Sequence, residues 1–135
     1  MNVLEYQNKA HAFAAYGDNA MYPALGLAEE AGEVCGKIAK FIRKNTGFQP
    51  ANMYRDDYPS IMDWNAKNEQ FRKDLSKELG DAMWMIAELC TVYGLDLGEV
   101  MAENIEKLTD RKAKGLIVGE GDTNEERIAN TRMGR

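Results

Sequence analysis

Carboxylates at helical spacing are the residues of this sequence best suited to chemistry. Glu30 and Glu33 lie three positions apart, and Glu78 and Asp81 repeat that spacing further along the chain. On a helix, the members of each pair share one face, so their carboxylates can converge on one point. Two such pairs facing each other would form a negatively charged pocket of oxygen ligands, which suits Mg²⁺ or Mn²⁺.

The second pair stands in an apolar segment. From Leu75 to Val92 the sequence is apolar nearly all round a helix, a pattern typical of a buried helix. Burying the ionised side chains of Glu78 and Asp81 without compensation would cost on the order of several kcal/mol each. We therefore favour a metal site, with structural ion pairs to lysines, such as Glu33 with Lys37, as the alternative.

The sequence contains few residues that could form other catalytic arrangements. His11 is the only histidine, and we expect it to be a surface or packing residue of the first helix. The two serines, Ser60 and Ser76, lie in no nucleophile-elbow pattern, and there is no phosphate-binding sequence of the GxxxxGK[ST] type. The sequence thus argues against a Ser-His or Cys-His mechanism.

Helical periodicity dominates the 135 residues and predicts one all-α domain, a helical bundle of about four main helices. We expect helices over about 3–16, 22–44, 67–93 and 96–111, the last one capped by Asp96. Residues 45–64 contain Gly47, Pro50 and Pro59 and predict a long loop. The segment 123–135 is expected to be a polar tail.

The apolar surface of the third helix also predicts an oligomer, because the other helices of one small chain cannot cover all of it. We therefore expect a homodimer or a homotetramer. The net charge of −5 argues against a broad nucleic-acid interface, and no apolar run is long enough to cross a membrane. The N-terminus lacks the pattern of a signal peptide, so we expect a soluble cytoplasmic protein.

The motifs together resemble those of the MazG-like all-α nucleoside triphosphate pyrophosphohydrolases. The chain contains Glu29-Glu30-Ala31-Gly32-Glu33, then Glu78-Leu79-Gly80-Asp81, Asn104-Ile105-Glu106-Lys107-Leu108 with Arg111, and Gly119-Glu120-Gly121-Asp122. These correspond to the EExxE, ExxD and closing elements of that family. The resemblance spans about Leu4 to Asp122, and the stretch 45–68 is an insertion relative to compact members.

The resemblance implies roles for individual residues. Glu30, Glu33, Glu78 and Asp81 would be ligands of Mg²⁺ or Mn²⁺, with more than one ion per site. Glu29 would bind a further metal or orient water, or would be a helix charge without a catalytic part. The residues expected to contact the phosphates of the substrate are Lys37, Asn104, Lys107 and Arg111. Trp84 is expected to contact the base, with Tyr22 as a weaker candidate. The alternative for the phosphate contacts is a solvated basic face, and the alternative for Trp84 and Tyr22 is ordinary core packing.

The implied reaction converts a (d)NTP to a (d)NMP and pyrophosphate, and we favour a purine deoxynucleotide as the substrate. Two alternatives stay open. One is a non-enzymatic helical module whose carboxylates are only salt-bridged. The other keeps the fold but hydrolyses a different phosphoanhydride, such as a phosphoribosyl nucleotide.

Overall fold

The computed structural model describes residues 1–17, 19–46, 69–117 and 121–133. These residues form five α-helices and no strand, which confirms the all-α prediction. The helices are α1 (Val3–His11), α2 (Met21–Thr46), α3 (Glu69–Val92), α4 (Leu97–Ala113) and α5 (Asn124–Met133). The chain divides into two compact units, Met1–Gly94 with α1 to α3 and Leu95–Arg135 with α4 and α5.

Helices α2 and α3 pack side by side in the first unit, and two contacts define their register. The rings of Phe41 and Phe71 stack with their centroids 4.0 Å apart. At the other end, Gly26 lies so close to Met85 that a Cβ on the glycine would be 2.6 Å from the methionine sulfur. The helices therefore run antiparallel, and the segments with both carboxylate pairs lie between these two contacts.

Helix α1 packs against the C-terminal half of α3. The Gln7 amide donates to Thr91 Oγ1 at 3.2 Å, and the Trp84 indole N–H donates to the Ala10 carbonyl at 3.2 Å. The predicted continuation of this helix to Tyr16 is wrong, because α1 ends at His11 and turns follow, with a positive φ at Gly17. These turns bring Tyr16 back over α3, where its hydroxyl donates a hydrogen bond to Glu88.

Helix α3 is not buried on every side, contrary to the prediction. Met85 and Ala87 are buried, whereas Leu79 and Met83 are 51% and 43% exposed. Among the described residues, α1 and α2 cover only part of the circumference of α3, so an apolar face stays open there. The predicted homodimer or homotetramer would cover such a face, and it stays a prediction.

Helices α4 and α5 form the second unit. Asp96 caps α4 as predicted, since its Oδ1 accepts from the Glu99 N–H at 3.1 Å. The segment expected to be a polar tail contains α5. Its start is a reciprocal capping box, in which Glu126 Oε2 accepts from the Thr123 N–H at 3.0 Å and Thr123 Oγ1 accepts from the Glu126 N–H at 3.2 Å.

Some predicted features lie outside the described residues. These are most of the insertion at 45–68 and, in the closing element, Gly119 and Glu120. Among the helices that the structure does describe, none combines the length and the apolar character needed to cross a membrane.

Candidate metal centre

Three carboxylates from two helices meet between α2 and α3. Glu30, Glu78 and Asp81 each offer an oxygen, and these oxygens lie within 4.8 Å of one another. Glu78 is only 8% exposed, whereas Glu30 is half-buried and Asp81 is exposed, so the expected burial of Asp81 was wrong. Oxygens that share one Mg²⁺ lie at most about 4.2 Å apart, because each bond is about 2.1 Å long. Small side-chain rotations would therefore bring all three to one ion.

The electrostatics of these carboxylates favour a cation. Burial, followed by the charge of Asp81, raises the pKa of Glu30 above its ordinary value of 4.5. A hydrogen bond to Glu78 and the charge of that residue raise the pKa of Glu33. Glu33 thus joins the cluster through Glu78, and its carboxyl tends to keep a proton because negative charge is crowded there. A divalent ion would relieve this repulsion, so the residues present fit a metal.

Lys37 supplies the one close cation seen at this cluster among the described residues. Its Nζ lies 2.9 Å from Glu78 Oε1, one turn of α2 beyond Glu33. This contact holds the pKa of Glu78 below its usual value and raises the pKa of Lys37. Glu78 is therefore ionised and paired, whereas no lysine or arginine of the described residues lies within ion-pair distance of Glu30 or Asp81.

The other predicted residues of the first unit lie around this cluster. Glu29 is exposed, and its charge adds to the repulsion on Glu30 and Glu33. Trp84 is half-buried between α3 and α1, and it also lines a cavity beside Asp81. Tyr22 is exposed and stacks on Tyr16 at 4.3 Å, so its ring already has an aromatic neighbour.

The predicted phosphate contacts on α4 belong to the second unit. Asn104 and Lys107 are exposed there. Arg111 is buried, and its guanidinium donates to the carbonyl of Asp122. This hydrogen bond gives Arg111 a packing role within its own unit. Contact of these three residues with a triphosphate stays a prediction.

Sequence reasoning missed Glu88, which is wholly buried under α1. Its Oε2 lies 3.1 Å from His11 Nδ1 and accepts from the Tyr16 hydroxyl at 3.1 Å. Burial and this hydrogen bond raise the pKa of Tyr16 to about 12. The sequence feature that could have revealed Glu88 is its position seven residues after Asp81, which places it two turns along the same face of an apolar helix. His11 lies at the surface and packs against α3 through Glu88, in line with the expectation for it.

Two comparisons with known proteins find matches to this chain. A family model described as the MazG nucleotide pyrophosphohydrolase domain matches residues 22–116, which include all five predicted catalytic carboxylates. The chain is also similar to the Gene 37 protein of Mycobacterium phage L5, with 34% identity over 130 residues that cover 90% of this chain and 98% of that protein. No solved structure matches. The match of the family model over most of the chain shows that this protein belongs to the MazG nucleotide pyrophosphohydrolase family.

Proposed function

We propose that this protein is a divalent-metal-dependent hydrolase that converts a (d)NTP to a (d)NMP and pyrophosphate. One observation carries the proposal: Glu30, Glu78 and Asp81 converge within 4.8 Å, in a chain whose family acts on nucleotides in this way. The reaction breaks the anhydride bond between the α- and β-phosphates and adds water across it. We expect a purine deoxynucleotide as the preferred substrate.

The carboxylates would hold Mg²⁺ or Mn²⁺, and more than one ion is expected. Glu30, Glu78 and Asp81 would bind directly, and Glu33 would join them by giving up its hydrogen bond to Glu78. When bound, the metal would lower the pKa of the attacking water and neutralise charge on the phosphates. No protein side chain needs to become covalently attached to the substrate.

The remaining polar residues would position the substrate. Glu29, beside the metal ligands, would orient the attacking water. Lys37 would transfer its contact from Glu78 to a phosphate oxygen, because the metal would then neutralise Glu78. Lys107 and Arg111, with Asn104, would contact the triphosphate from α4. Trp84 would lie against the base.

We further propose a homodimer or homotetramer that acts in the cytoplasm on free nucleotides, without nucleic acid or membrane as a partner. The open apolar face of α3 at Leu79 and Met83 supports the assembly. The acidic net charge of −5 supports the absence of a nucleic-acid interface.

The test is release of pyrophosphate from a panel of all common NTPs and dNTPs, with Mg²⁺, with Mn²⁺ and with a chelator. The variants Glu33→Gln and Asp81→Asn each replace one carboxyl group of the cluster by an amide. Glu69→Gln is the matched control, since Glu69 is an exposed carboxylate of α3 that pairs with Lys73. We expect metal-dependent turnover that vanishes in the first two variants and persists in the control.

One observation favours the second candidate, a non-enzymatic helical module: Lys37 already supplies Glu78 with a counter-ion. Such a module would gain little stability from Mg²⁺. If the folded protein hydrolyses no nucleotide and its melting temperature is unchanged by either metal, the module replaces the hydrolase.

A further inference from the structure

Positive charge is concentrated where α2 ends and α3 begins, in a cluster of five residues here called the basic end. These residues are Arg43, Lys44, Arg72, Lys73 and Lys77. The rings of Phe41 and Phe71 stack 4.0 Å apart, which places the last turns of α2 beside the first turns of α3. All five residues of the basic end are exposed.

The charge of the basic end is opposite in sign to that of the whole chain, whose net charge is −5. These turns hold only two of the 22 acidic residues, Glu69 and Asp74. Both acids already have a partner, since Glu69 pairs with Lys73 at 2.7 Å and Asp74 accepts from the Gln70 amide at 3.0 Å. Among the described residues, the other four cations form no ion pair. The basic end is therefore a local region of positive charge.

Part of the basic end borders a groove of about 550 Å³ along the first turns of α3. The lining residues are Glu69, Gln70, Arg72, Lys73, Ser76 and Lys77. A cleft lined mainly by charges of one sign focuses the electric field and raises the local concentration of ions of opposite sign. The volume also falls within the range of about 300–1,000 Å³ that is typical of small-molecule sites. The groove can therefore attract a small, highly charged anion.

We propose that the basic end attracts the polyphosphate group of the substrate and steers it toward the metal centre, a role that rests on the proposed function. Lys77 directly precedes the candidate metal ligand Glu78. Arg72 lies about 14 Å along the helix axis from Asp81. An acidic chain repels a nucleoside triphosphate on average, so a positive region on the approach to the carboxylates would offset that repulsion.

The effect of the basic end should depend on ionic strength. The Debye length is about 30 Å at 0.01 M salt and about 8 Å at 0.15 M. Charges that lie about 14 Å from the metal centre therefore act on an anion there at low salt and are largely screened at high salt. Steering raises the rate of association and leaves the chemical step unchanged. Loss of these cations should thus lower kcat/KM at low salt without lowering kcat.

A pair of double variants tests the steering. Arg72→Gln with Lys77→Gln, the groove variant, removes two positive charges beside the groove. Lys112→Gln with Lys114→Gln is the matched control, because it removes two positive charges from exposed positions at the end of α4. At an ionic strength of about 10 mM, we expect kcat/KM of the groove variant to fall about threefold or more, with kcat unchanged. The difference should disappear at about 0.3 M salt, and the control should follow the wild type.

Inorganic tripolyphosphate probes the same surface without hydrolysis. Isotope-labelled protein is titrated with this anion at low ionic strength in the presence of a chelator, and changes in the amide chemical shifts locate the contact. We expect these changes in the last turn of α2 and the first turns of α3. The affinity should be about threefold or more weaker in the groove variant than in the control, and binding should weaken as salt is added.

The outcomes separate the steering from the proposed function. Tripolyphosphate contacts at the basic end of a protein that hydrolyses no nucleotide would support the anion-binding surface and refute the hydrolase. Hydrolysis with the same salt dependence of kcat/KM in the groove variant and the control overturns the steering and leaves the hydrolase standing. Tripolyphosphate contacts that lie elsewhere also overturn it. Tighter binding of a single-stranded oligonucleotide of equal charge would identify nucleic acid as the partner and overturn it as well.

Discussion

Lys37 Nζ lies 2.9 Å from Glu78 Oε1, so a lysine of α2 is the counter-ion of the most buried carboxylate in the candidate metal centre. The ion pair and a bound metal compete for the same carboxylate. Metal binding should therefore release the lysine, which then becomes available to a phosphate. This exchange would couple the binding of metal to the binding of nucleotide.

Replacement of Lys37 by Met tests the exchange. Without nucleotide, we expect Lys37→Met to bind Mn²⁺ about two- to fivefold more tightly than the wild type, because Glu78 no longer gives up a partially exposed ion pair. With nucleotide, KM should rise, because a phosphate contact is lost. Isothermal titration calorimetry and steady-state kinetics measure the two effects. Lys40→Met, an exposed lysine one turn further along α2, is the control. Equal Mn²⁺ affinity in both variants would refute the competition.

Tyr16 should make stability fall at alkaline pH. The fold raises the pKa of its phenol from 10.0 to about 12, so the neutral form is favoured in the folded state. The resulting stabilisation is fully present below pH 10 and is lost as the pH rises through about 12. Tyr16→Phe removes the hydrogen bond to Glu88 and should cost about 0.5–1.5 kcal/mol at neutral pH.

The free energy of unfolding in urea, measured for wild type and Tyr16→Phe across this range, checks that prediction. The difference between the two proteins should shrink between pH 10 and 12. Tyr93→Phe, at an exposed position near the end of α3, should follow the wild type. A constant difference between wild type and Tyr16→Phe would show that the contact with Glu88 does not hold the phenol proton.

The capping box should determine the stability of α5. Thr123→Ala removes the acceptor of the Glu126 N–H and should cost about 1 kcal/mol, which corresponds to roughly fivefold faster amide exchange in the helix. Hydrogen exchange followed by mass spectrometry measures this directly. Glu125→Gln, at the exposed neighbouring position, should change the exchange rate little.

The same capping box predicts that the stability of α5 depends on pH in the acidic range. The backbone N–H groups of Thr123 and Asp122 hold the pKa of Glu126 below its usual 4.5. A lowered pKa contributes stability that is present above 4.5 and is lost as the pH falls through the folded value. Protection of α5 should therefore decrease in acid, and Glu126→Gln should remove this dependence. Unchanged protection at low pH would contradict the role of the carboxylate.

The helices and the carboxylate cluster were predictable because both depend on local periodicity. The three-residue spacing of Glu30 with Glu33 and of Glu78 with Asp81 places each pair on one face, whatever the surrounding fold. The ion-pair partner of Glu78 was harder to predict from the sequence. Its pairing with Lys37 depends on the antiparallel register of α2 and α3, which Gly26 and Phe41 determine through contacts with distant residues. In the alternative to a metal site, the sequence suggested Glu33 as the partner of Lys37, because that residue is one turn away.

Two other misses have different causes. Helix α5 was missed although Thr123 and Glu126 form a recognisable capping signal, because the polar composition of the segment outweighed it. Glu88 was missed because its partners, His11 and Tyr16, lie more than seventy positions away in sequence. Long-range hydrogen bonds of a buried carboxylate leave no periodic pattern, and only its position in an apolar run indicated them.

Binding of Mn²⁺ in the absence of nucleotide tests the central claim, that carboxylates of α2 and α3 form one metal centre. Electron paramagnetic resonance reports free Mn²⁺ for wild type, Glu78→Gln, Asp81→Asn and the control Glu69→Gln. We predict saturable binding to the wild type and the control, and at least about tenfold weaker binding to the other two variants, as expected when a ligand is lost. Equal binding by wild type and Asp81→Asn would contradict the account.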